Sequence, residues 1–147
     1  MTKFKNHKMK KIIYLVIAFI SLTVITSCSK DDDNEASLTG KWEYLKEGVA
    51  NGGQEVLTDY EHQIGCTKDY SLISATSISD YSYSGNPCEE EITTLNYTRN
   101  GNNISFNIQG LTFTAVIKTL TATTLKIYIS DPENPEISEV TVFKRIN

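Results

Sequence analysis

From Leu38 onward the chain alternates apolar and polar residues with a period of two, and no apolar stripe of helical spacing and length interrupts it. That pattern restricts the chain to β structure. Leu111, Phe113, Ala115 and Ile117 share one face of their run, while Thr112, Thr114 and Lys118 take the other. One face therefore packs and the other is wetted. Ile104, Phe106 and Ile108 alternate with Ser105 and Asn107, and Gln109-Gly110 leads into the run just described, which predicts a hairpin. Leu125, Ile127 and Ile129 form a further run, as do Val140 and Val142, and Trp42 and Tyr44 share a face of the run 41–47. Runs at 70–76, 78–84 and 92–99 complete a set of eight strands.

Ser84-Gly85-Asn86-Pro87 and Asn100-Gly101-Asn102 are turn sequences, and the two prolines within 131–136 lack the donor that a ladder needs. The stretch 49–65 has Asn51-Gly52-Gly53 as a turn and no sustained period; it is expected to hold a short strand or a lid. Eight short antiparallel strands in about 110 residues make a two-sheet sandwich or a closed barrel. Short turns between successive runs favour the barrel, because neighbours in sequence then become neighbours in space and closure removes exposed edges. The fold expected is all-β, an eight-stranded antiparallel up-and-down barrel.

The amino-terminal end has a different composition. Lys3, Lys5, Lys8, Lys10 and Lys11 precede an apolar run that begins at Ile12. A basic start and a short apolar centre followed by small residues describe a secretory signal; an uncleaved anchor helix is the alternative. Ile25-Thr26-Ser27-Cys28 resembles the bacterial lipobox. The resemblance implies cleavage before Cys28, a diacylglycerol thioether on its sulfur and a further acyl chain, such as palmitate, on the new amino terminus. Each buried methylene contributes about 0.8 kcal/mol and one chain holds only marginally, so two or three chains anchor stably without a transmembrane span. Ser29-Lys30-Asp31-Asp32-Asp33 resembles the export signal that sends lipoproteins of Bacteroidetes-type bacteria to the outer face of the outer membrane; a plain solvated tether has the same composition. The expected organisation is a signal peptide over 1–27, a lipidated cysteine and acidic tether over 28–37, and one folded domain over 38–147. The expected location is the outer membrane, lipid-anchored and facing the cell exterior.

Removal of the signal leaves nine Lys and Arg against eighteen Asp and Glu, a net charge of −9. Nucleic acid and anionic membrane surfaces are poor partners for such a chain. With Cys28 lipidated, Cys66 and Cys88 remain as the one pair in an oxidising compartment, which makes a disulfide the expected state. A metal site is the alternative, but His62 is the only histidine after the signal and neither cysteine has a second one nearby.

Leu38-Thr39-Gly40-Lys41-Trp42 resembles the Leu-x-Gly-x-Trp opening of the lipocalin-like lipoproteins of Bacteroidetes. The cysteine placement, the link Leu120-Thr121-Ala122-Thr123-Thr124-Leu125 and the closing Val142-Phe143-Lys144-Arg145 extend the resemblance over about 38–146. It implies a lipocalin-like barrel in which Gly40, Trp42 and Arg145 form a structural signature: Trp42 plugs one end, and Arg145 or Lys144 lies over the indole as a cation on a ring. Thr94-Leu95-Asn96-Tyr97 departs from the Gly-x-Tyr segment of many relatives.

Catalytic residues are not expected. His62 has no motif around it, and the adjacent Glu89, Glu90 and Glu91 point to alternate faces of a strand and do not converge. No cofactor and no metal is implied. The residues expected to face inward are Trp42, Tyr44, Leu95, Tyr97, Ile104, Phe106, Phe113, Ile117, Leu125, Ile127, Val140 and Val142. Such a set is first a core, and an eight-stranded barrel either fills with side chains or holds one small ligand. If a pocket exists, Tyr44, Leu95, Tyr97, Phe106, Phe113 and Ile127 are its candidate contacts. Two functions follow: binding of a small, partly apolar molecule in the barrel, or a non-enzymatic scaffold with a packed core that touches an envelope protein or a glycan.

Overall fold

The computed structural model describes residues 36–130 and 134–147. The signal segment, Cys28 and the tether through residue 35 lie outside the described residues, as do positions 131–133 of the last loop. Nine strands follow one another: β1 (Gly40–Asn51), β2 (Gln54–Asp59), β3 (Tyr70–Ile73), β4 (Ser77–Ser84), β5 (Glu89–Asn100), β6 (Asn103–Ile108), β7 (Leu111–Leu120), β8 (Thr124–Ser130) and β9 (Ile137–Ile146). From β3 to β9 each strand pairs antiparallel with the next. β1 pairs with β3 on one edge and with β9 on the other, closing an up-and-down barrel of eight strands.

The ninth strand is β2, in the stretch whose sequence has no period. It shares the β3-side edge of β1: β3 takes Gly40–Glu43 and β2 takes Lys46–Asn51. Between these halves the ladder with β9 shifts register, from Tyr44↔Phe143 to Lys46↔Val142. The extra residue, Leu45, is a bulge, and a bulge reverses which side chains face inward.

On β9, whose ladder with β8 is unbroken, the structure corrects the placement of Val140 and Val142, which the sequence reading assigned to the interior: the other alternate set faces inward. Phe143 joins the interior cluster with Trp42, Ile104 and Leu125, and Thr141 stands opposite the inward Ile127. Val140 and Val142 therefore face outward. They are nonetheless 1% and 8% exposed, because β2 curls over them. Glu55 of β2 reaches across β9 to β8, where Lys126 Nζ donates to its carboxylate at 2.8 Å and the Tyr128 hydroxyl donates to it as well. Gly48 permits the curl, since a Cβ at that position would overlap the Val56 carbonyl.

One end of the barrel is plugged. Trp42 is fully buried and donates from Nε1 to the Leu38 carbonyl at 2.8 Å. Arg145 stands opposite Trp42 on β9, with Cζ 4.1 Å from the ring centroid. Its guanidinium donates to the carbonyls of Ala122 at 2.9 Å, Thr39 at 3.1 Å and Ser37. Gly40 has φ +147°, and a Cβ there would collide with Arg145 Nη1. Glycine is thus required both for the backbone and for the cation to reach the ring. Cys66 and Cys88 form a disulfide with Cα atoms 5.6 Å apart, tying the 60–69 loop to the turn before β5.

Candidate functional site

The barrel interior is not filled. A cavity of about 260 Å³ lies among side chains of all eight barrel strands. Its walls are mostly aliphatic and aromatic, from Ile73 of β3, Ile78 of β4, Ile104 and Phe106 of β6, Ala115 of β7, Ile127 and Ile129 of β8, and Phe143 of β9. The small side chain of Ala115 leaves space that the larger Ile117 closes one step nearer the plug. β5 and β6 pair only over Tyr97–Asn100. Beyond that they part, leaving Leu95 and Ile108 on the cavity wall. Ile108 is 37% exposed, so the cavity reaches the surface at this gap.

A polar group stands on one wall. Tyr44 of β1, Ser71 of β3 and Asp80 of β4 occupy inward positions on adjacent strands, and their tips converge. The Tyr44 hydroxyl donates to Asp80 Oδ1 at 3.0 Å, and Ser71 Oγ donates to the same oxygen while lying 3.2 Å from the Tyr44 hydroxyl. Burial, and next the Asp80 charge, push the Tyr44 phenol well above its ordinary value, so it remains a donor at neutral pH. An apolar space with a few convergent polar groups is the general form of a small-molecule site.

Above this group lies a brace. Tyr60 stacks on Tyr44 with ring centroids 4.8 Å apart, and its hydroxyl donates to Asp69 Oδ2 at 2.9 Å. Burial and that hydrogen bond push the Tyr60 phenol up to about 12. The Asp69 backbone N–H donates to His62 Nδ1 at 3.0 Å, which leaves Nε2 to carry the proton and donate to the Tyr44 carbonyl, also at 3.0 Å. Both ring nitrogens of His62 are thus committed to backbone groups, and the ring holds the 60–69 loop in place. Glu89, Glu90 and Glu91 open β5 on the surface, and among the described residues no group of His, Cys, Asp and Glu is arranged to hold a metal ion.

Of the six contacts read from the sequence, Tyr44, Leu95, Phe106 and Ile127 line the cavity. Tyr97 and Phe113 do not. Tyr97 is drawn toward the plugged end, where its hydroxyl donates to the Ser74 carbonyl at 2.7 Å. Phe113 stacks behind Phe106 with centroids 5.8 Å apart and supports it from the neighbouring strand. Ser71, Asp80, Thr141 and Phe143 were not legible as wall residues. A signal for Asp80 existed: it lies two positions from Ile78, and on a strand that places both on one face.

No family model and no curated protein matches the chain. Among solved structures it is similar to bovine odorant-binding protein in complex with undecanal, with TM-score 0.45 and 16% identity over 78% of this chain and 74% of that one. It is similar also to the bovine lipocalin allergen Bos d 2, with TM-score 0.41 and 15% identity over 74% of this chain and 71% of that one. For a dog lipocalin allergen the TM-score is 0.40 and the identity 17%, over 76% of this chain and 77% of that one. The barrel itself is established by the strand order and register given above.

Proposed function

We propose that this chain is a lipid-anchored, lipocalin-like envelope protein that takes a small, partly apolar molecule into its barrel and does no chemistry on it. The observation that carries the binding reading is the cavity of about 260 Å³ with a mostly apolar wall and one polar group. Burial of an apolar body there would be favourable by about 25 cal/mol per Å² removed from water. The anchor is carried by Ile25-Thr26-Ser27-Cys28, and display on the cell exterior by Ser29-Lys30-Asp31-Asp32-Asp33 directly after it.

The two halves are tested separately. Organic extraction of protein purified from membranes, followed by mass spectrometry, is expected to release a stoichiometric small molecule; protein that carries none and binds no apolar probe contradicts the binding reading. For the anchor, the amino-terminal peptide is expected to begin at an acylated Cys28, and Cys28→Ala to move the protein out of the membrane fraction. An unmodified Cys28 thiol in an intact precursor contradicts it. Protease shaving of whole cells tests display.

A second reading is favoured by the outer face of β3 and β4. Tyr70 and Tyr81 stack there with centroids 4.5 Å apart, and Lys41 Nζ lies 3.8 Å from the Tyr70 ring centroid. Such a face suits contact with an envelope protein or a glycan. A stoichiometric partner recovered from solubilised membranes, with an empty barrel, would favour it.

A further inference from the structure

We infer that the cavity selects molecules whose polar end is a hydrogen-bond donor, above all a protonated amine on a compact apolar body, and that it rejects carboxylates. The inference rests on the binding reading above and names the class of molecule bound. Among the described residues Asp80 is the only carboxylate on the cavity wall, and no described Lys, Arg or His is on that wall. The ion pairs among the described residues that join a Lys or Arg to a carboxylate are Lys46–Asp59, Lys68–Glu43 and Lys126–Glu55, and none of them includes Asp80.

The hydrogen bonds are lopsided. Tyr44 and Ser71 both donate to Oδ1, and no described residue donates to Oδ2. A carboxylate beside an apolar space is stable only when its charge and its lone pairs find partners. Here the described residues supply two neutral donors to Oδ1 and no cation, and Oδ2, which is not a buried orphan, stays open to solvent or to a ligand. A ligand ammonium would complete the set, donating to Oδ2 as a charge-assisted bond while its apolar body lies against Ile104, Phe106 and Ile127. A ligand carboxylate would instead face a like charge. The volume corresponds to about nine waters at liquid density, which suits a ligand of comparable heavy-atom count.

Phenethylamine, phenethyl alcohol and phenylacetate share one apolar body and differ in the head, so calorimetric titration of the wild-type protein with each ranks the heads without any substitution. The expected order is amine, then alcohol, then carboxylate, with the amine about tenfold or more tighter than the alcohol. Asp80→Asn is expected to abolish the preference for the amine while keeping the alcohol, with its thermal unfolding compared to that of the wild type. Should Asp80→Asn fail to fold, Ser71→Ala is used in its place; by freeing Oδ1 of one donor it is expected to keep or strengthen the preference for the amine. Equal affinity for all three, or tightest binding of phenylacetate, overturns the head-group inference and leaves cavity binding standing. Binding of none of the three overturns both.

Discussion

Arg145 lies over Trp42, Cζ to ring centroid 4.1 Å, and the two residues face each other directly across the β1–β9 ladder that closes the barrel. The plug and the seam are therefore one structure. The cation is held by three carbonyls from two separate segments, 37–39 and Ala122, so it also joins the chain entering β1 to the β7–β8 turn.

Arg145→Ala is expected to lower the stability of the domain by about 2–4 kcal/mol, the sum of a cation on a ring and hydrogen bonds from a charged donor. Arg145→Lys should recover little of it, because an ammonium cannot reproduce the planar fork. Equilibrium denaturation followed by the fluorescence of Trp42 measures both. A Lys variant as stable as the wild type would show that charge alone suffices.

Gly48→Ala is expected to lift β2 off the barrel, since the Val56 carbonyl occupies the space a methyl group needs. The cost should be about 1–3 kcal/mol, as for overpacking elsewhere. Hydrogen exchange should quicken at β2, while the amides of β4 to β7 keep their protection.

The two interior faces that the sequence revealed best belong to β6 and β7, where Ile104 and Phe106 meet Ala115 and Phe113 in an uninterrupted register. Trp42 and Tyr44 were legible for the same reason. Past Leu45 the alternation of β1 misleads, because a bulge leaves no trace in an apolar pattern; β9 keeps a regular ladder with β8 and misleads for a different reason. In Val140-Thr141-Val142-Phe143 two sets of alternate residues could face inward. The valines look like the core set until β2, itself without period, is seen to cover them from outside. Asp80 was hidden by the opposite habit, that of assigning charged residues to the wetted face. The space inside the barrel was beyond the sequence, since whether inward side chains meet depends on how far β5 and β6 diverge.

Reduction of Cys66–Cys88, or the double change Cys66→Ser and Cys88→Ser, should lower stability by about 3 kcal/mol from the entropy of the loop it closes. The oxidised protein should label with no thiol reagent at either position. Equal stability of oxidised and reduced forms would mean that the 60–69 loop is held by His62 and Tyr60 alone.

Alkaline pH should weaken the fold through the tyrosines beside the cavity. Tyr60 titrates at about 12 in the folded protein against 10.0 ordinarily, and Tyr44 is displaced in the same direction. Because the folded state holds these protons more tightly, their stabilisation is complete below pH 10 and is lost as pH rises through the folded values. The denaturation midpoint should fall across pH 10 to 12, and Tyr60→Phe should flatten that fall. A midpoint constant over this interval would contradict the buried network.

The cavity is tested most directly by nuclear magnetic resonance on protein with labelled isoleucine methyl groups, titrated with phenethyl alcohol. Ile73, Ile104, Ile127 and Ile129 line the interior, whereas Ile64 is 95% exposed and Ile92 51% exposed. The account predicts saturable shifts at the four interior methyls, none at Ile64 and Ile92, and loss of the response in Ala115→Leu, which fills part of the space. Interior methyls that do not move, or shifts confined to the surface pair, would show that the barrel is a packed core and not a binding site.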